Sequence, residues 1–517
     1  MTDARPWWEE AVVYQVYPRS FADSNGDGIG DLNGVRTKLP YLADLGVDAI
    51  WLTPFYPSPL ADGGYDVSAY CDVDPLLGTL TDFDALIKEA ATHGIRVIVD
   101  IVPNHCSVEH PLFKAALAAG PGTRERDRFI FRPGIAEPDG GELPPNNWLS
   151  VFGGPAWTRL PDGQWYLHLF DSSQPDFNWH HPDIPPFFAD VIRFWMDRGA
   201  AGLRVDVANS LFKDPELPDI PETAGPHDPS AHHHRAELHQ LYPSWRAILD
   251  SYPADEFPGH RTAIGEVWYD VPETLAPYLN PGGLPQVFNF QLLQAPWDAC
   301  GLRAAIDGAT AMAGGSRAPW VLGNHDVPRP VTRFGGATAG RAAALLQLAL
   351  PGSAYIYQGE ELGLPEVTDL PDDARQDPTF FRTDGVIPGR DGCRVPLPWS
   401  AAELAGPSWL PWPANWGNYS IETQAADPDS FLCLYRAALQ LRRSHPALGP
   451  GAMHWLDSPA DSLVFTREPG FIFAANLGAV PIPLPSHSAV LLASGPLTVS
   501  AAPGTVLPPN TAVWLSA

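Results

Sequence analysis

Residues 95–105 read IRVIVDIVPNH, and this stretch decides the architecture of the chain. Its first part, residues 95–102, is almost continuously apolar and mostly β-branched, and the polar residues Asp100 and His105 lie near its end. A strand with one face in water alternates polar and apolar residues, whereas a continuous apolar run is typical of a parallel strand buried on both faces. The stretch therefore predicts a buried parallel strand that delivers polar groups at its carboxyl end.

Seven further stretches have the same character, and helical patterns separate them. The other predicted strands are 12–17, 49–54, 202–207, 262–267, 287–290, 319–324 and 353–358. The helical patterns cover 32–45, 80–93, 186–198, 235–250, 340–350 and 428–444. The helix at 80–93 has Thr79 as an N-cap candidate and stops at Gly94. Eight strands that alternate with helices predict an α/β fold of the (β/α)8 TIM-barrel type rather than an open sheet.

The alternation is interrupted twice, and the chain changes character after it. Residues 106–180 are rich in Pro, Gly and Trp and too long for a bare loop, so they predict an inserted domain B after the third strand. Residues 359–427 predict a second excursion at the same barrel face. Short alternating strands predict a C-terminal antiparallel β domain over 449–517. The catalytic barrel would then comprise 1–105 and 181–448.

The composition limits the classes of partner. The 517 residues include 32 Lys and Arg against 60 Asp and Glu, a net charge of −28 that argues against nucleic acid and anionic membranes. The five cysteines are scattered, and the opening MTDARPWWEE does not read as a signal peptide. We expect a cytoplasmic enzyme, a monomer or small homo-oligomer, that acts on a small neutral oligosaccharide or disaccharide.

Chemistry-bearing residues follow the predicted strands, where barrel enzymes place their active sites. The strand ends place Asp100 and His105 (third), Arg204 and Asp206 (fourth), Glu266 (fifth), and His325 and Asp326 (seventh). A retaining glycosidase needs two carboxyl groups about 5–5.5 Å apart, one as nucleophile and one as acid. Arg204 precedes Asp206 by two residues, so both side chains point to one side of the strand, and the positive charge keeps Asp206 ionised. This order of groups predicts cleavage of a glycosidic bond.

At these residues the chain resembles glycoside hydrolase family 13, the α-amylase family, and within it the oligo-1,6-glucosidase and α-glucosidase branch. The matching segments are VVYQVYPRSFADSNGDGIGDLNG, DGGYDVSAY, DIVPNH, FGGPAW, QPDFNW, GLRVDV, IGEV, GNHD, YIYQGEELG and GRDGCRVPLPW. The resemblance covers nearly the whole chain, and QPDFNW differs from the usual QPDLNW by one aromatic substitution.

The resemblance implies roles for individual residues. Asp206 would be the nucleophile, Glu266 the general acid/base and Asp326 the stabiliser that grips sugar hydroxyls. The implied pocket for the terminal glucose consists of Asp62, Tyr65, His105, Phe152, Arg204, His325 and Arg390, with Arg394 as an alternative to Arg390. Tyr65 and Phe152 would stack on the sugar, and the Asp62–Arg390 pair would close the pocket and make cleavage exo-acting.

The segment 23–31 has the pattern of a cation-binding loop. Its ligand candidates are Asp23, Asn25, Asp27, Ile29 through its carbonyl, and Asp31. The twelfth position is Gly34 instead of the bidentate Glu of a helix–loop–helix calcium module. The resemblance implies a structural Ca²⁺ or Mg²⁺ here and no organic cofactor, and the alternative is a solvated acidic turn. The run His232–His234 is expected to be a solvated loop rather than a metal site.

Three functions remain open from the sequence. The first is a hydrolase that releases glucose from short α-glucosides. The second is a glucosyl-transferring or isomerising enzyme similar to sucrose isomerase or trehalose synthase, which shares the covalent intermediate. The third, a non-catalytic binding or scaffold relative, predicts the loss of a catalytic carboxylate and a membrane anchor, and neither is seen. Val207 resembles α-1,6-preferring members but the residues after it do not, so the linkage stays open with a lean to maltose-type substrates.

Overall fold

A computed structural model of the chain describes residues 5–138, 140–221, 231–268, 272–288, 290–312, 318–449, 452–499 and 505–517. The strands are β1 Val12–Val16, β2 Ala49–Leu52, β3 Arg96–Ile101, β4 Phe131–Pro133, β5 Ile135–Ala136, β6 Glu142–Leu143, β7 Trp157–Arg159, β8 Gln164–Leu167, β9 Gly202–Val205, β10 Thr262–Gly265, β11 Gln286–Val287, β12 Trp320–Val321, β13 Ala354–Tyr357, β14 Met453–Trp455, β15 Ser462–Arg467, β16 Phe471–Asn476, β17 Ile482–Pro483, β18 Ala489–Ala493, β19 Thr498–Val499, β20 Thr505–Leu507 and β21 Thr511–Ser516.

The helices are α1 Leu32–Thr37, α2 Leu39–Leu45, α3 Leu80–Thr92, α4 Pro111–Ala119, α5 Ile184–Asp197, α6 Leu238–Asp250, α7 Pro272–Leu275, α8 Gln291–Gln294, α9 Ala299–Met312, α10 Pro330–Arg333, α11 Ala337–Ala349, α12 Pro378–Arg382, α13 Asp391–Arg394, α14 Ile421–Ala425 and α15 Phe431–Ser444.

Eight strands form one sheet in the order β11–β10–β9–β3–β2–β1–β13–β12, and every neighbouring pair is parallel. This confirms the predicted α/β fold of TIM-barrel type. All eight predicted strands are present, although the sixth and seventh are only two residues long. The polar loop after Val321 therefore begins early, and Asp326 reaches the carboxyl end of the sheet from a loop instead of from a strand end.

The register of the sheet explains why the catalytic candidates meet. Asp100 in β3 pairs with Arg204 in β9, and Arg204 pairs with Ile264 in β10. Asp206 and Glu266 each lie two residues further along, so they leave adjacent strands at the same height. Parallel strands present their carboxyl ends at one edge, which turns this register into a cluster of side chains.

The prediction of one helix over 32–45 is wrong in one respect. The structure has two helices there, which meet at Lys38. Pro40 cannot donate the hydrogen bond of a continuous helix, and its ring clashes with the preceding turn. The helix predicted at 80–93 is present as α3. Its N-cap is Thr79, and the side chains of Thr79 and Asp82 form a reciprocal capping box.

Two segments form small antiparallel sheets outside the eight-stranded sheet. Between β3 and α5 the chain forms α4 and two small antiparallel sheets, β4–β8–β7 and β5–β6. After α15 it forms antiparallel sheets in the orders β14–β15–β16–β21–β18 and β17–β20–β19. This C-terminal part packs on α11, where the Trp514 indole N–H donates to the Leu345 carbonyl at 3.1 Å. Because α11 is covered from both sides, it is apolar nearly all round.

The excursion after β13 is anchored by a buried carboxylate. Glu361 accepts hydrogen bonds from the hydroxyls of Tyr14 at 2.7 Å and Tyr41 at 2.8 Å, and from the Gly359 amide at 2.8 Å. Burial raises the pKa of Glu361, against the lowering effect of these bonds. Glu361 lies just after β13, the last barrel strand, so these contacts join the start of the excursion to β1 and to α2. Within the described ranges, no helix combines the length and apolar character needed to cross a membrane.

Candidate active site

A cavity of about 540 Å³ opens at the carboxyl ends of the barrel strands. Its lining residues are Asp62, Tyr65, His105, Val151, Phe152, Phe170, Asp206, Val207, Asn209, His233, Glu266, Trp268, Asp326, Pro328, Thr379, Ile387, Pro388, Gly389 and Arg390. The predicted substrate residues Arg204 and His325 lie just beneath this lining, in contact with it. The structure thus brings the predicted catalytic and sugar-binding residues to one site.

The centre of the site is the buried guanidinium of Arg204. Its Nη1 lies 2.6 Å from Asp206 Oδ1 and 3.0 Å from Asp100 Oδ1. Its Nη2 lies 2.7 Å from Glu266 Oε1. All four side chains are at most 8% exposed. One rigid, planar group therefore fixes the carboxyl groups of Asp206 and Glu266 on the same side of the pocket.

Three carboxyl groups share this one positive charge. Burial raises the pKa of Asp206 well above its usual range; the Arg204 charge lowers it, and the neighbouring carboxyl of Glu266 raises it again. Burial likewise raises the pKa of Asp100 to about 7, although Arg204 lowers it. One guanidinium cannot compensate three negative charges in a buried site, so the pKa values of Asp206 and Asp100 stay raised despite Arg204. Arg204 lowers the pKa of Asp206, as the sequence predicts, but burial outweighs this effect.

The backbone around Glu266 is shaped to hold that side chain. Val207 adopts a left-handed conformation with φ of 47°, which is strained for a β-branched residue. In this conformation its amide donates to Glu266 Oε2 at 3.2 Å. The indole N–H of Trp268 donates to Glu266 Oε1 at 2.9 Å, and its ring stacks on Phe290. Strain stored at this position fixes the direction of the Glu266 carboxyl group.

A chain of hydrogen bonds links His325 to Asp100, one of the three carboxyl groups around Arg204. Gln15 Nε2 lies 2.7 Å from His325 Nδ1, and the Tyr65 hydroxyl lies 2.6 Å from His325 Nε2. The same hydroxyl donates to Asp100 Oδ2 at 3.0 Å. Burial lowers the pKa of His325 well below its usual range, so the ring is neutral. Because the Gln15 amide donates to Nδ1, Nε2 carries the proton and points at Tyr65.

A second group of charges closes the far end of the pocket. Arg390 Nη2 lies 2.6 Å from Asp62 Oδ1, and Arg390 Nη1 lies 3.1 Å from Asp326 Oδ1. Arg394 Nη2 also lies 3.1 Å from Asp326 Oδ1. Burial opposes the ionisation of Asp326, but the positive charges around it, among them those of Arg390 and Arg394, outweigh burial and hold its pKa well below the usual range. Both Arg390 and Arg394 therefore belong to the site, and Arg390 alone bridges to Asp62.

Asp377 holds these arginines from behind. Its Oδ2 contacts Arg390 Nε and lies 3.9 Å from Arg394 Nη1. Burial raises the pKa of Asp377, but the two guanidinium groups outweigh this effect and lower it overall. The Thr379 amide donates to its other oxygen at 2.8 Å. Asp377 was not predicted, because nothing in the local sequence distinguishes it from the other acidic residues of the excursion.

The inserted segment completes the sugar pocket. The Gln174 side-chain amide lies 3.0 Å from Asp62 Oδ2 and 3.1 Å from His105 Nε2. Burial lowers the pKa of His105 to about 4, so this ring is neutral as well. Phe152 lies on the other wall, with the Arg390 guanidinium carbon 4.9 Å from its ring centre. Gln174 was also missed, although it begins the quoted segment QPDFNW.

The other predicted sites lie in different surroundings. In the 23–31 loop, Asp23 Oδ1 accepts from the Gly26 amide at 2.7 Å, and Asp27 Oδ1 accepts from the Ile29 amide at 2.8 Å. Asp31 is buried and caps α1 through the Gly34 amide. Among the residues that the structure describes, no cluster of three or more His, Cys, Asp or Glu side chains could hold a metal ion.

The expectation of a solvated histidine loop is wrong for the part that the structure describes. His232 is 9% exposed and packs edge-on against Trp148, with ring centres 4.9 Å apart. His233 lines the catalytic cavity, and burial lowers its pKa well below the usual range. The inserted segment covers this run, which a sequence pattern cannot show. Residues 222–230 lie outside the described part.

Comparisons with known proteins identify the family of this chain. The family described as the α-amylase catalytic domain matches residues 15–451. The chain is 39% identical over 499 residues to the probable α-glucosidase of Rhizobium meliloti (strain 1021). The alignment covers 90% of this chain and 88% of that protein. It is 35% identical over 492 residues to the oligo-1,6-glucosidase of Parageobacillus thermoglucosidasius, with coverages of 85% and 84%. The crystal structure of the trehalulose synthase MutB from Pseudomonas mesoacidophila MX-45 superposes with a TM-score of 0.89 at 32% identity, covering 99% of both chains.

The contacts of Asp377 predict a positioning role. We expect Asp377→Asn to raise KM for a glucoside about tenfold with a smaller loss in kcat, because it loosens Arg390 and Arg394 without touching the reacting atoms. Steady-state kinetics measure both constants. Asp372→Asn is the matched control, since that side chain is 86% exposed in the same segment. Equal KM values for the Asp377 variant and wild type would contradict the assignment.

Proposed function

This chain belongs to the α-amylase family of glycoside hydrolases, and on that premise we propose that it is an exo-acting retaining α-glucosidase. Its substrates would be short oligosaccharides of the maltose and isomaltose type, cleaved at the terminal α-glucosidic bond. The observation that carries the proposal is the Arg204 guanidinium, which holds Asp206 and Glu266 together at one end of a pocket. The Asp62–Arg390 pair at the far end supports exo action, because an ion pair across that end would block a chain that continued beyond the terminal sugar.

In the first step, Asp206 attacks the anomeric carbon while Glu266 gives its proton to the glycosidic oxygen. The bond between C1 and that oxygen breaks, the leaving sugar departs as an alcohol, and an ester joins C1 to Asp206. Arg204 contacts both carboxyl groups, and it assists by stabilising each as negative charge moves from Asp206 to Glu266.

In the second step, the Glu266 carboxylate takes a proton from water, and the water oxygen attacks C1. The ester bond to Asp206 breaks, glucose leaves in the α-configuration, and Glu266 is again protonated. Asp326 carries a full negative charge next to Arg390 and Arg394, which suits it to bind sugar hydroxyls as positive charge develops on the ring. Two inversions at one carbon produce retention.

A glucosyl-transferring or isomerising enzyme is the second candidate. The observation that favours it is the likeness to trehalulose synthase MutB over 99% of both chains. Such an enzyme forms the same covalent intermediate and differs only in the hydroxyl group that intercepts it. The lining residues that face the reacting carbon, and not the catalytic carboxyl groups, would decide between water and a sugar hydroxyl.

We also propose that the loop 23–31 holds a structural Ca²⁺ or Mg²⁺. The donor types fit, because carboxylate, amide and carbonyl oxygens at alternating positions are the ligands of these hard cations, and the loop would have to gather these side chains around the ion. Asp23, Asn25 and Asp27 each accept bonds from loop amides, which curl the loop around its own side chains. Asp23, Asn25, Asp27, Asp31 and the Ile29 carbonyl would hold the ion, and it would supply stability rather than chemistry.

One variant each tests the proposed roles of Asp206 and Glu266. We expect Asp206→Ala and Glu266→Gln each to lower kcat at least about a thousandfold, since one removes the nucleophile and the other the transferable proton. Far-UV circular dichroism should match wild type in both. Asp250→Ala, which removes a carboxylate 50% exposed on α6, is the control. Ordinary turnover by either variant would refute its role.

Product analysis tests the proposed reaction. We expect NMR of separate incubations with maltose, isomaltose, sucrose and trehalose to show free glucose appearing first as the α-anomer, because the mechanism retains configuration. The substrate with the highest initial rate defines the linkage preference. A new disaccharide with little free glucose would instead support the transferring or isomerising enzyme, and β-glucose as the first product would exclude a retaining mechanism.

Removal of divalent cations tests whether the loop 23–31 binds a stabilising ion. We expect EDTA to lower the melting temperature of the protein by about 5 °C, because a bound cation stabilises only the folded state. Added Ca²⁺ or Mg²⁺ should restore it. Asp27→Ala should melt at the lower temperature with or without EDTA. A wild-type melting temperature that EDTA leaves unchanged would show that the loop is a solvated turn.

A further inference from the structure

A second cavity lies at the end of the barrel opposite the catalytic site, and it has a volume of about 360 Å³. One wall carries Val12, Asp48 and Arg96, which lie at the amino ends of β1, β2 and β3. The other wall carries Arg442 and Arg443 from the last turn of α15. Because parallel strands begin at one edge of a sheet and end at the other, this cavity and the catalytic pocket open at opposite ends of the barrel.

The cavity is rich in arginine, although the chain as a whole is acidic. Its lining includes the guanidinium groups of Arg96, Arg442 and Arg443 and the carboxyl groups of Glu10 and Asp48. The whole chain has 32 Lys and Arg against 60 Asp and Glu, so a cavity with more arginines than carboxylates departs from its composition. Positive charge collected in a concave site raises the local concentration of anions.

Both carboxylates of the cavity have partners elsewhere. Asp48 Oδ1 lies 3.0 Å from Arg443 Nη2, and Asp48 Oδ2 accepts from the Val12 amide at 2.8 Å. Glu10 Oε1 lies 3.5 Å from Arg5 Nη1. Arg443 and Arg5 are themselves more than half exposed. The negative charges are thus paired with exposed arginines, and the two other arginines of the lining are left without a carboxylate contact.

Arg442 is a buried cation whose contacts are all neutral. Its side chain reaches from α15 to the turn after α11, and the residue is 7% exposed. Nη1 donates to the carbonyls of Leu348 at 2.6 Å and Leu350 at 3.0 Å, and Nη2 contacts the Gly352 carbonyl. Burial lowers its pKa to about 10. Carbonyl oxygens carry only partial charge, so a full negative charge next to this guanidinium would be stabilised.

Arg96 presents its terminal nitrogens to the same cavity. Its Nε donates to the Pro258 carbonyl at 2.7 Å, and its guanidinium carbon lies 4.8 Å and 5.1 Å from the ring centres of Trp7 and Phe257. These contacts orient the group and supply no negative charge. Within the part of the chain that the structure describes, both Nη atoms are without an acceptor. A guanidinium held in this way offers a planar fork that matches two oxygens of a phosphate.

We propose that this cavity binds a phosphate dianion, either as inorganic phosphate or as the monoester of a small metabolite. The Nη atoms of Arg96 would bind two phosphate oxygens, and Arg442 would supply the second positive charge from the buried wall. Two arginines without a carboxylate match the two negative charges of the ligand. The volume of the cavity is at the lower end of the range for ligand sites, which suits a small molecule.

A ligand at this position would join three parts of the chain. It would bridge the amino ends of the first three barrel strands and the end of α15, from which the chain continues into the C-terminal antiparallel sheets. Because it binds only the folded chain, it would stabilise this junction. The inference goes beyond the proposed function and does not depend on the reaction, since none of its residues contacts the Arg204 cluster.

Calorimetric titration with inorganic phosphate tests the inference. The titration is run at a pH where phosphate is a dianion, with NaCl adjusted so that the ionic strength stays constant. We expect one phosphate per chain with a Kd of about 1 mM or tighter. Glycerol 3-phosphate is the second probe. Tighter binding of glycerol 3-phosphate would identify a monoester as the preferred ligand, and tighter binding of inorganic phosphate would identify the free ion. A flat isotherm with both probes would overturn the inference.

Three variants locate the site. We expect Arg96→Gln to weaken phosphate binding at least about tenfold, because it removes a charged, two-point contact. Asp48→Asn should tighten binding several-fold, because it removes a negative charge that repels the ligand. A gain in affinity cannot come from a damaged fold. Arg303→Gln is the matched control, since it removes an arginine that is 50% exposed on α9, and it should bind phosphate like wild type.

Each result decides the assignment. Equal phosphate affinity in wild type and Arg96→Gln would place any binding elsewhere and overturn the site. Weaker binding in Asp48→Asn would overturn the charge argument. Release of glucose from maltose by Arg96→Gln should match wild type, because Arg96 lies at the opposite end of the barrel. Failure of the proposed glucosidase activity would leave the calorimetric result unchanged, so the two proposals are tested separately.

Discussion

The buried guanidinium of Arg204 is the group on which the active site depends. It is the positive charge shared by Asp100, Asp206 and Glu266, and it contacts all three. Three carboxyl groups without it would repel each other and take up protons, and none could act as a nucleophile. With it, two of the three negative charges remain uncompensated, and the pKa values of Asp100 and Asp206 stay raised by burial.

The parallel sheet makes this arrangement rigid. Asp100 and Arg204 are direct partners across adjacent strands, so their contact follows from backbone register and not from flexible side chains. The same register puts Asp206 and Glu266 at one height. Geometry held by strands is more exact than geometry held by loops. The loops are left to define the pocket around the reacting carbon, and this division explains how similar sites can serve hydrolysis and transfer.

The far wall of the pocket is built differently, from long-range charge pairs. Asp62 and Arg390 are 328 residues apart in sequence and 2.6 Å apart in space. Asp377 fixes Arg390 from behind, and Gln174 fixes Asp62 from the side. Each of these loop segments is held by another, so the sugar pocket forms only when the inserted segment and the excursion after β13 are both in place.

The barrel and the order of the candidate catalytic residues could be predicted from the sequence, because buried parallel strands have a continuous apolar signature and the polar candidates follow those strands directly. Local patterns also placed Arg204 beside Asp206, since residues two apart share one side of a strand. The contacts of Asp377 and Gln174 and the burial of His232 could be seen only in the folded chain. These depend on contacts between segments far apart in the chain, and the energy of such contacts comes from burial and charge pairing that no local pattern encodes.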